Sequence, residues 1–245
     1  MNKLRVLLGL SLALAAVSPD IAQAAKFKPV VVVPPNGPLK LKPGPSTAHT
    51  YTFTLTKFKI TDTRSVHEDT DFVSVAVAVG NAAPITLPTK SMGDLNNGTF
   101  TVNLAIPATA LPTDSVSFSY GIVNSGYDAN TLEQDMKKAV SDAASKGAKA
   151  GLSAAGDALI PGSGSIVSTV GSLATDWLIG KLLGIVFADC DGPVAAGDHV
   201  YSGSQLAAQT ANGHVLSVTD DNKGTDSPTG CGANSRYYVS WTVKG

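Results

Sequence analysis

Residues 129–187 decide the fold, and they read ANTLEQDMKKAVSDAASKGAKAGLSAAGDALIPGSGSIVSTVGSLATDWLIGKLLGIVF. Small and apolar residues recur along the first half at steps of three or four: Leu132, Met136, Val140, Ala143, Gly147, Gly151, Ala154 and Ala158. The mean step of about 3.7 is close to the helical repeat, so these residues share one helical face. Thr131 and Gln134 have the spacing of a capping box, which starts a helix. The PGSG at 161–164 ends one helix and turns the chain back. The stretch therefore predicts a long helical hairpin over residues 129–187.

Two pairs of glycines, each pair four residues apart, indicate tight packing within this hairpin. Gly147 and Gly151 lie in its first half, and Gly180 and Gly184 lie in its second half. A glycine pair at this spacing lets a neighbouring backbone approach closely, as in membrane helices. We therefore expect these four glycines to form the contact between the two helices.

The first 24 residues have the three parts of a secretory signal peptide. Lys3 and Arg5 precede an apolar run at 6–17, and the run ends at an AQA cleavage sequence at 22–24. The apolar run is too short to span a bilayer. We expect cleavage near Ala24 and export of the mature chain, which would be secreted or periplasmic.

Charge and cysteine content narrow the classes of partner. The chain has 18 Lys and Arg against 19 Asp and Glu, a net charge of −1. Such a balance gives no long-range attraction for nucleic acid, so we expect no nucleic-acid partner. Cys190 and Cys231 are the 2 cysteines, and an exported chain would join them in a disulfide.

Segments before the hairpin alternate apolar and polar residues, as half-buried antiparallel strands do. A proline-rich arm is predicted at 25–48 and the N-terminal strands at 49–128. Tyr51, Phe53 and Leu55 change phase before Phe58 and Ile60, and such a slip predicts a β-bulge. The other predicted strand faces are Val73, Val75, Val77 and Val79; Phe100, Val102, Leu104 and Ile106; and Val116, Phe118, Tyr120 and Ile122.

Residues 188–245 return to the strand period, with short strands near His199 and His214 and a last strand from Tyr237 to Val243. The polar cluster at 220–228 is predicted to be a turn. Two topologies fit: one sandwich with the hairpin inserted, or an N-terminal sandwich followed by helices and a small β-tail. We favour the first because so short a tail would not fold alone. The predicted fold is mainly β with an α insertion: an antiparallel β-sandwich of about seven to nine strands carrying the hairpin.

Clustered acids offer one candidate cofactor site. Glu68, Asp69 and Asp71 precede a predicted strand, and calcium takes carboxylate ligands from such loops. The plainer alternative is a solvated loop with Arg64 as its counter-ion. A weaker calcium candidate contains Asp220, Asp221, Asn222 and Asp226, which lack the twelve-residue calcium-loop pattern.

The sequence carries no catalytic signature, and it predicts a protein without enzymatic activity. Its four histidines have no metal-binding spacing, and the serine at 163 is not in a nucleophile elbow. Asn97-Gly98-Thr99 matches the glycosylation sequon, which only a eukaryotic secretory route would use.

Two functions stay open. The first is an exported binding protein without a cofactor, its ligand unknown, or one that associates with itself through residues 129–187. The alternative is a membrane-active, pore-forming or toxin-like protein whose hairpin at 129–187 inserts into bilayers. Asp176 and Lys181 oppose stable insertion, since two charges cost roughly what the apolar residues of that helix contribute.

Overall fold

The fold is mainly β, with antiparallel sheets and three α-helices among the described residues. The structure is a computed structural model, and it describes residues 47–64, 69–126, 129–157, 166–185, 191–224 and 234–245. The predicted signal peptide lies outside these ranges, and so does all of the predicted arm except its last two residues.

The strands are β1 His49–Asp62, β2 Asp69–Val79, β3 Ile85–Thr86, β4 Lys90–Leu95, β5 Gly98–Ala110, β6 Ser115–Asn124, β7 Gly192–Ser202, β8 Val215–Lys223 and β9 Arg236–Lys244. The helices are α1 Ala129–Asp157, α2 Ile166–Leu183 and α3 Gly203–Gln209, and a 3₁₀ turn covers Ala211–Gly213.

The strands form two sheets that share one apolar core. The four-stranded sheet has the order β5-β1-β9-β8. The five-stranded sheet has the order β3-β2-β6-β7, with β4 also paired to β2. Aromatic side chains join the sheets: Phe118 of β6 lies 5.8 Å from Phe53 of β1 and 5.2 Å from Trp241 of β9, between ring centroids. Alternating apolar residues of both sheets therefore meet in one core.

The strands that follow the helices join both sheets. β7 pairs with β6, and β9 pairs with β1. The tail therefore extends the sheets begun by the strands that precede the helices. The predicted bulge in β1 is confirmed, since the pairing of β1 with both of its neighbours shifts between Leu55 and Lys57.

Helices α1 and α2 form a helical layer over the outer face of the five-stranded sheet. α1 lies over β2 and β6, α2 lies over β7, and the two helices contact each other. The predicted apolar face of α1 is buried from Leu132 through Met136, Val140 and Ala143. Residues 158–165, where the two helices would connect, lie outside the described residues.

Three local predictions are wrong. β6 was predicted to be half-buried but is buried on both faces, because its serines lie beneath the helices. The predicted turn at 220–228 begins as strand, since β8 continues through Lys223 paired with β9. Helix α1 starts at Ala129, so Thr131 lies in its first turn and is not its N-cap.

Helix α3 was not predicted, although its sequence has a recognisable start. The Ser202 hydroxyl accepts a hydrogen bond from the Gln205 backbone, and the Gln205 side chain accepts one from the Ser202 backbone. This reciprocal capping box satisfies two backbone donors and lets a seven-residue helix form.

Candidate functional site

The outer face of the four-stranded sheet is partly exposed and rich in hydroxyl groups. Inward residues of β1 and β9 are buried, whereas their outward neighbours are partly or fully exposed. The outward hydroxyl residues are Thr50, Thr52, Thr54 and Thr56 on β1, Thr99, Thr101 and Thr109 on β5, Ser217 and Thr219 on β8, and Ser240 and Thr242 on β9. We call this surface the hydroxyl face.

A shallow depression of about 290 Å³ lies on the hydroxyl face, lined by Lys57, Lys59, Thr99, Thr219, Tyr238 and Ser240. Strand pairing brings these residues together, because Lys57 is opposite Ser240 and Lys59 is opposite Tyr238. The β1 bulge contributes as well. Leu55 and Phe58 are both in the core, so two successive residues, Thr56 and Lys57, lie on the outer side.

The depression is basic. The side chains of Lys57 and Lys59 are exposed, and neither forms an ion pair within the described part of the chain. Arg236 differs, since its Nε and Nη2 donate to Asp221 at 3.0 and 2.7 Å. These hydrogen bonds lower the pKa of Asp221. The Arg236 guanidinium also lies over the Tyr238 ring, 5.2 Å from its centroid, and orients that ring at the edge of the depression.

A cluster of polar side chains links the two sheets at the side where β7 and β8 lie next to each other. Oδ2 of Asp220 accepts hydrogen bonds from Tyr120 Oη at 2.7 Å and Trp241 Nε1 at 3.1 Å, and lies 2.8 Å from His199 Nε2. Burial opposes ionisation here, but the contact with His199 and the two donors lower the pKa of Asp220. One carboxylate oxygen thus contacts side chains from three other strands, and we interpret the group as a clamp between the sheets.

Of the three residues predicted to bind calcium, Asp71 is the one whose side chain the structure describes, so the site stays a prediction. Asp71 is buried, and it accepts a hydrogen bond from Tyr237 Oη at 3.0 Å. Glu68 lies outside the described residues, and the Asp69 side chain is likewise not described. Arg64, the suggested counter-ion, is buried and donates to the Pro193 carbonyl at 3.2 Å. No group of three or more His, Cys, Asp or Glu side chains converges in the described ranges.

The weaker calcium candidate is divided among separate contacts. Asp220 belongs to the clamp, Asp221 is paired with Arg236, and Asn222 accepts from the Ala196 backbone N–H at 3.2 Å. Asp226 lies outside the described residues. Because β8 extends through these positions, alternate side chains lie on opposite faces of the sheet and do not converge on one ion.

The structure places the two glycine pairs in different surroundings. A Cβ at Gly147 would meet Asp198 and Ser117, and a Cβ at Gly151 would meet Ser115 and Val200. Both glycines thus lie against strands β6 and β7, whereas the contact predicted from the sequence was with the second helix. Gly180 has open space around it among the described atoms, and Gly184 meets only backbone carbonyls of its own helix end.

The remaining predicted features are the disulfide and the membrane segment. Cys190 and Cys231 both lie outside the described residues, so their pairing stays a prediction. Among the helices that the structure describes, none combines the length and apolar character needed to cross a membrane. Asn97 is exposed in the turn between β4 and β5.

Comparison with known proteins gives no family for this chain: no protein-family model matches it, and neither does any curated protein.

Sequence reasoning missed the basic depression, although part of the signal was present. Lys57 and Lys59 alternate with the core residue Phe58, and Tyr238 lies between the core residues Tyr237 and Val239. This alternation indicates that the three side chains lie on an outer face. Their proximity depends on the register between β1 and β9, strands separated by most of the chain, and the alternation alone does not contain that register.

Proposed function

We propose that this chain is an exported, non-enzymatic binding protein and that the hydroxyl face is its binding surface. The observation that carries this proposal is a pair of exposed lysines, Lys57 and Lys59, which have no ion-pair partner in the described part of the chain and which line the depression together with Tyr238. Ammonium groups without an internal ion pair can bind an anionic ligand without first breaking a contact within the chain, and ordering each lysine side chain then costs about 0.5–1.5 kcal/mol. Export is inferred from residues 1–24.

The ligand that fits this surface is an extended acidic polysaccharide. The depression is small and shallow, so it does not enclose a compact small molecule. Rows of threonine and serine hydroxyls continue across the neighbouring strands and would accept and donate hydrogen bonds to sugar hydroxyls. Lys57 and Lys59 would pair with uronate or sulfate groups, and Tyr238 would offer the edge of an aromatic ring.

We further propose that the two sheets form an antiparallel β-sandwich and that residues 129–187 are a helical hairpin inserted in it. Support comes from the shared core and from the contact between α1 and α2. The membrane-active alternative has less support, because the face from Leu132 to Gly147 is covered by the chain's own sheet. If the mature protein released dye from anionic liposomes, that result would support the membrane-active alternative.

The test measures binding of the mature protein to a uronate polysaccharide such as alginate, with neutral dextran for comparison. Replacing both lysines, Lys57→Ala and Lys59→Ala, should weaken alginate binding by about tenfold, since exposed charge contacts contribute up to about 1 kcal/mol each. Binding should also weaken with added salt. The single variant Tyr238→Ala should also weaken alginate binding, but it should leave the dependence of that binding on salt unchanged.

A control for net charge is Lys137→Ala with Lys138→Ala, which removes the same charge from exposed positions on α1, where Lys138 pairs with Asp142. If the control loses as much affinity as the β1 pair, binding depends on net charge alone and the proposed face is wrong. Tighter binding to single-stranded DNA than to alginate would show a different class of partner. No binding to alginate at low salt would overturn the proposal that the ligand is an acidic polysaccharide.

A further inference from the structure

A buried carboxyl group lies where the helical layer meets the five-stranded sheet. Asp198 of β7 is 3% exposed, and its Oδ1 accepts hydrogen bonds from the hydroxyls of Ser117, at 2.6 Å, and Ser119. Its backbone N–H donates to Thr175 Oγ1 of α2 at 3.0 Å. Asp198 therefore contacts β6 and α2 at one point.

The other carboxylate oxygen has no hydrogen-bond donor among the described residues. Oδ2 of Asp198 is buried without a partner and lies beneath Gly147 of α1, where a Cβ would collide with it. An ionised carboxylate buried in this way loses its hydrogen bonds to water, and the hydrogen bonds from two serines replace only part of them. The protonated acid avoids most of that cost, so this interface favours a neutral Asp198.

We propose that Asp198 acts as a pH-sensitive latch: the helical layer stays closed over the five-stranded sheet while this carboxyl group is protonated, and opens more often once the group ionises. The latch needs no ligand, since opening would bring water to the carboxylate. It is independent of the proposed polysaccharide surface, which lies on the other sheet.

The direction of the pH effect follows from the ionisation of the group. Burial raises the pKa of Asp198 from 3.8 to about 6, although Ser117, Ser119 and His199 act in the opposite direction. A pKa raised by folding means that the stabilising effect is complete below the ordinary value and is lost as the pH rises through about 6. Acid should therefore hold the helical layer closed.

Other charged groups near the layer lie at its exposed surface or on the far side of the sheet. Lys146 of α1 and Lys181 of α2 both lie over the Trp177 ring, at 5.1 and 5.4 Å from its centroid. The side chain of His199, next to Asp198 in β7, is turned to the opposite face and contacts Asp220. The remaining charged groups on the packed helices near this point are Asp142 and Lys149 of α1 and Asp176 of α2.

The experiment is amide hydrogen exchange of the full mature chain, with each rate corrected for intrinsic exchange. Protection of α1 and α2 should fall by about tenfold between about pH 5 and about pH 8, the change expected for one carboxyl with these two pKa values. Strands β1 and β9 of the four-stranded sheet should keep their protection. Asp198→Asn, which is neutral at every pH, should remove most of this difference.

The control variant is Asp142→Asn, which neutralises an acid of α1 whose side chain is 45% exposed and pairs with Lys138 at 2.6 Å. This variant should keep the full pH dependence. Helix protection that does not change with pH in the wild type would overturn the latch, and so would an undiminished pH dependence in Asp198→Asn. If Asp198→Asn fails to fold, the wild type decides: loss confined to the helices supports the latch, and equal loss in β1 and β9 overturns it.

Discussion

Gly147 and Gly151 determine how closely α1 approaches the sheet. Both lie directly over serine-bearing positions of β6, where a side chain of any size would meet Ser117 or Ser115. Gly180 of α2 provides a natural contrast, because it is exposed and has open space around it among the described atoms. Although all three glycines lie inside helices, a side chain would collide with the sheet at Gly147 and Gly151, whereas one at Gly180 would meet no described atom.

We expect Gly147→Ala and Gly151→Ala each to lower the free energy of unfolding by about 1–3 kcal/mol, because the added methyl group forces α1 away from the sheet. Gly180→Ala should raise it by about 1 kcal/mol, since alanine favours the helix and meets nothing. Urea denaturation of the three variants at one pH gives these values. Equal effects at all three positions would contradict the close contact with β6.

The sequence predicted which face of α1 is buried but not what covers it. The steps of three and four residues place Leu132, Met136, Val140 and Gly147 on one side, and these residues are buried. The covering partner is a serine-bearing strand, β6, whose alternation of apolar residues and serines is typical of a solvent-exposed face. The buried position of Asp198 was missed for the same reason, because burial of the second face of β6 and β7 depends on the helices.

The helical layer is inserted between two strands that are themselves neighbours. Asn124 at the end of β6 pairs with Gly192 at the start of β7. A short turn could therefore join these strands, and the helices are not needed to bring them together. Their packing buries an apolar cluster on the outer face of the sheet, including Phe72, Ala76 and Val123.

Replacing residues 127–189 by a short turn should therefore keep both sheets and produce association between molecules. The exposed outer face would carry an apolar patch of the kind that monomeric proteins avoid. Light scattering coupled to size exclusion, with far-ultraviolet circular dichroism for strand content, measures both effects. A folded monomer at the concentration where the intact chain is also monomeric would show that the layer has another role.

Strands were predicted best where one face is exposed. The alternation in β1, β5 and β9 matches their burial, because one side of the four-stranded sheet faces solvent. The charged end of β8 resembled a turn, since Asp220, Asp221 and Asn222 are common turn residues. Pairing with β9 overrides that preference, and the clamp and the Arg236 pair satisfy the side chains.

The tail joins both sheets, and the residues at the beginning of β7 and just before β9 contact one buried residue, Arg64. Arg64 Nη1 donates to the Pro193 carbonyl at 3.2 Å, and Asn234 Nδ2 donates to the Arg64 carbonyl at 3.2 Å. Cys190 precedes Pro193 by three residues, and Cys231 precedes Asn234 by the same number. Pro193 and Asn234 thus both contact Arg64, the first through its side chain and the second through its backbone. This shared contact is the reason we expect Cys190 and Cys231 to pair.

A disulfide between Cys190 and Cys231 should stabilise the whole molecule, because it closes a long loop in the unfolded chain. The expected contribution is about 4 kcal/mol in the free energy of unfolding. Reduction should therefore lower the Tm by roughly 10 °C in a protein of this size. The double variant Cys190→Ser with Cys231→Ser should melt at the temperature of the reduced wild type and should not respond to reductant. Two free thiols in the protein under non-reducing conditions, measured by mass spectrometry after alkylation, would contradict the disulfide. The contacts of Arg64 with Pro193 and Asn234 would then have to hold these two segments together without it.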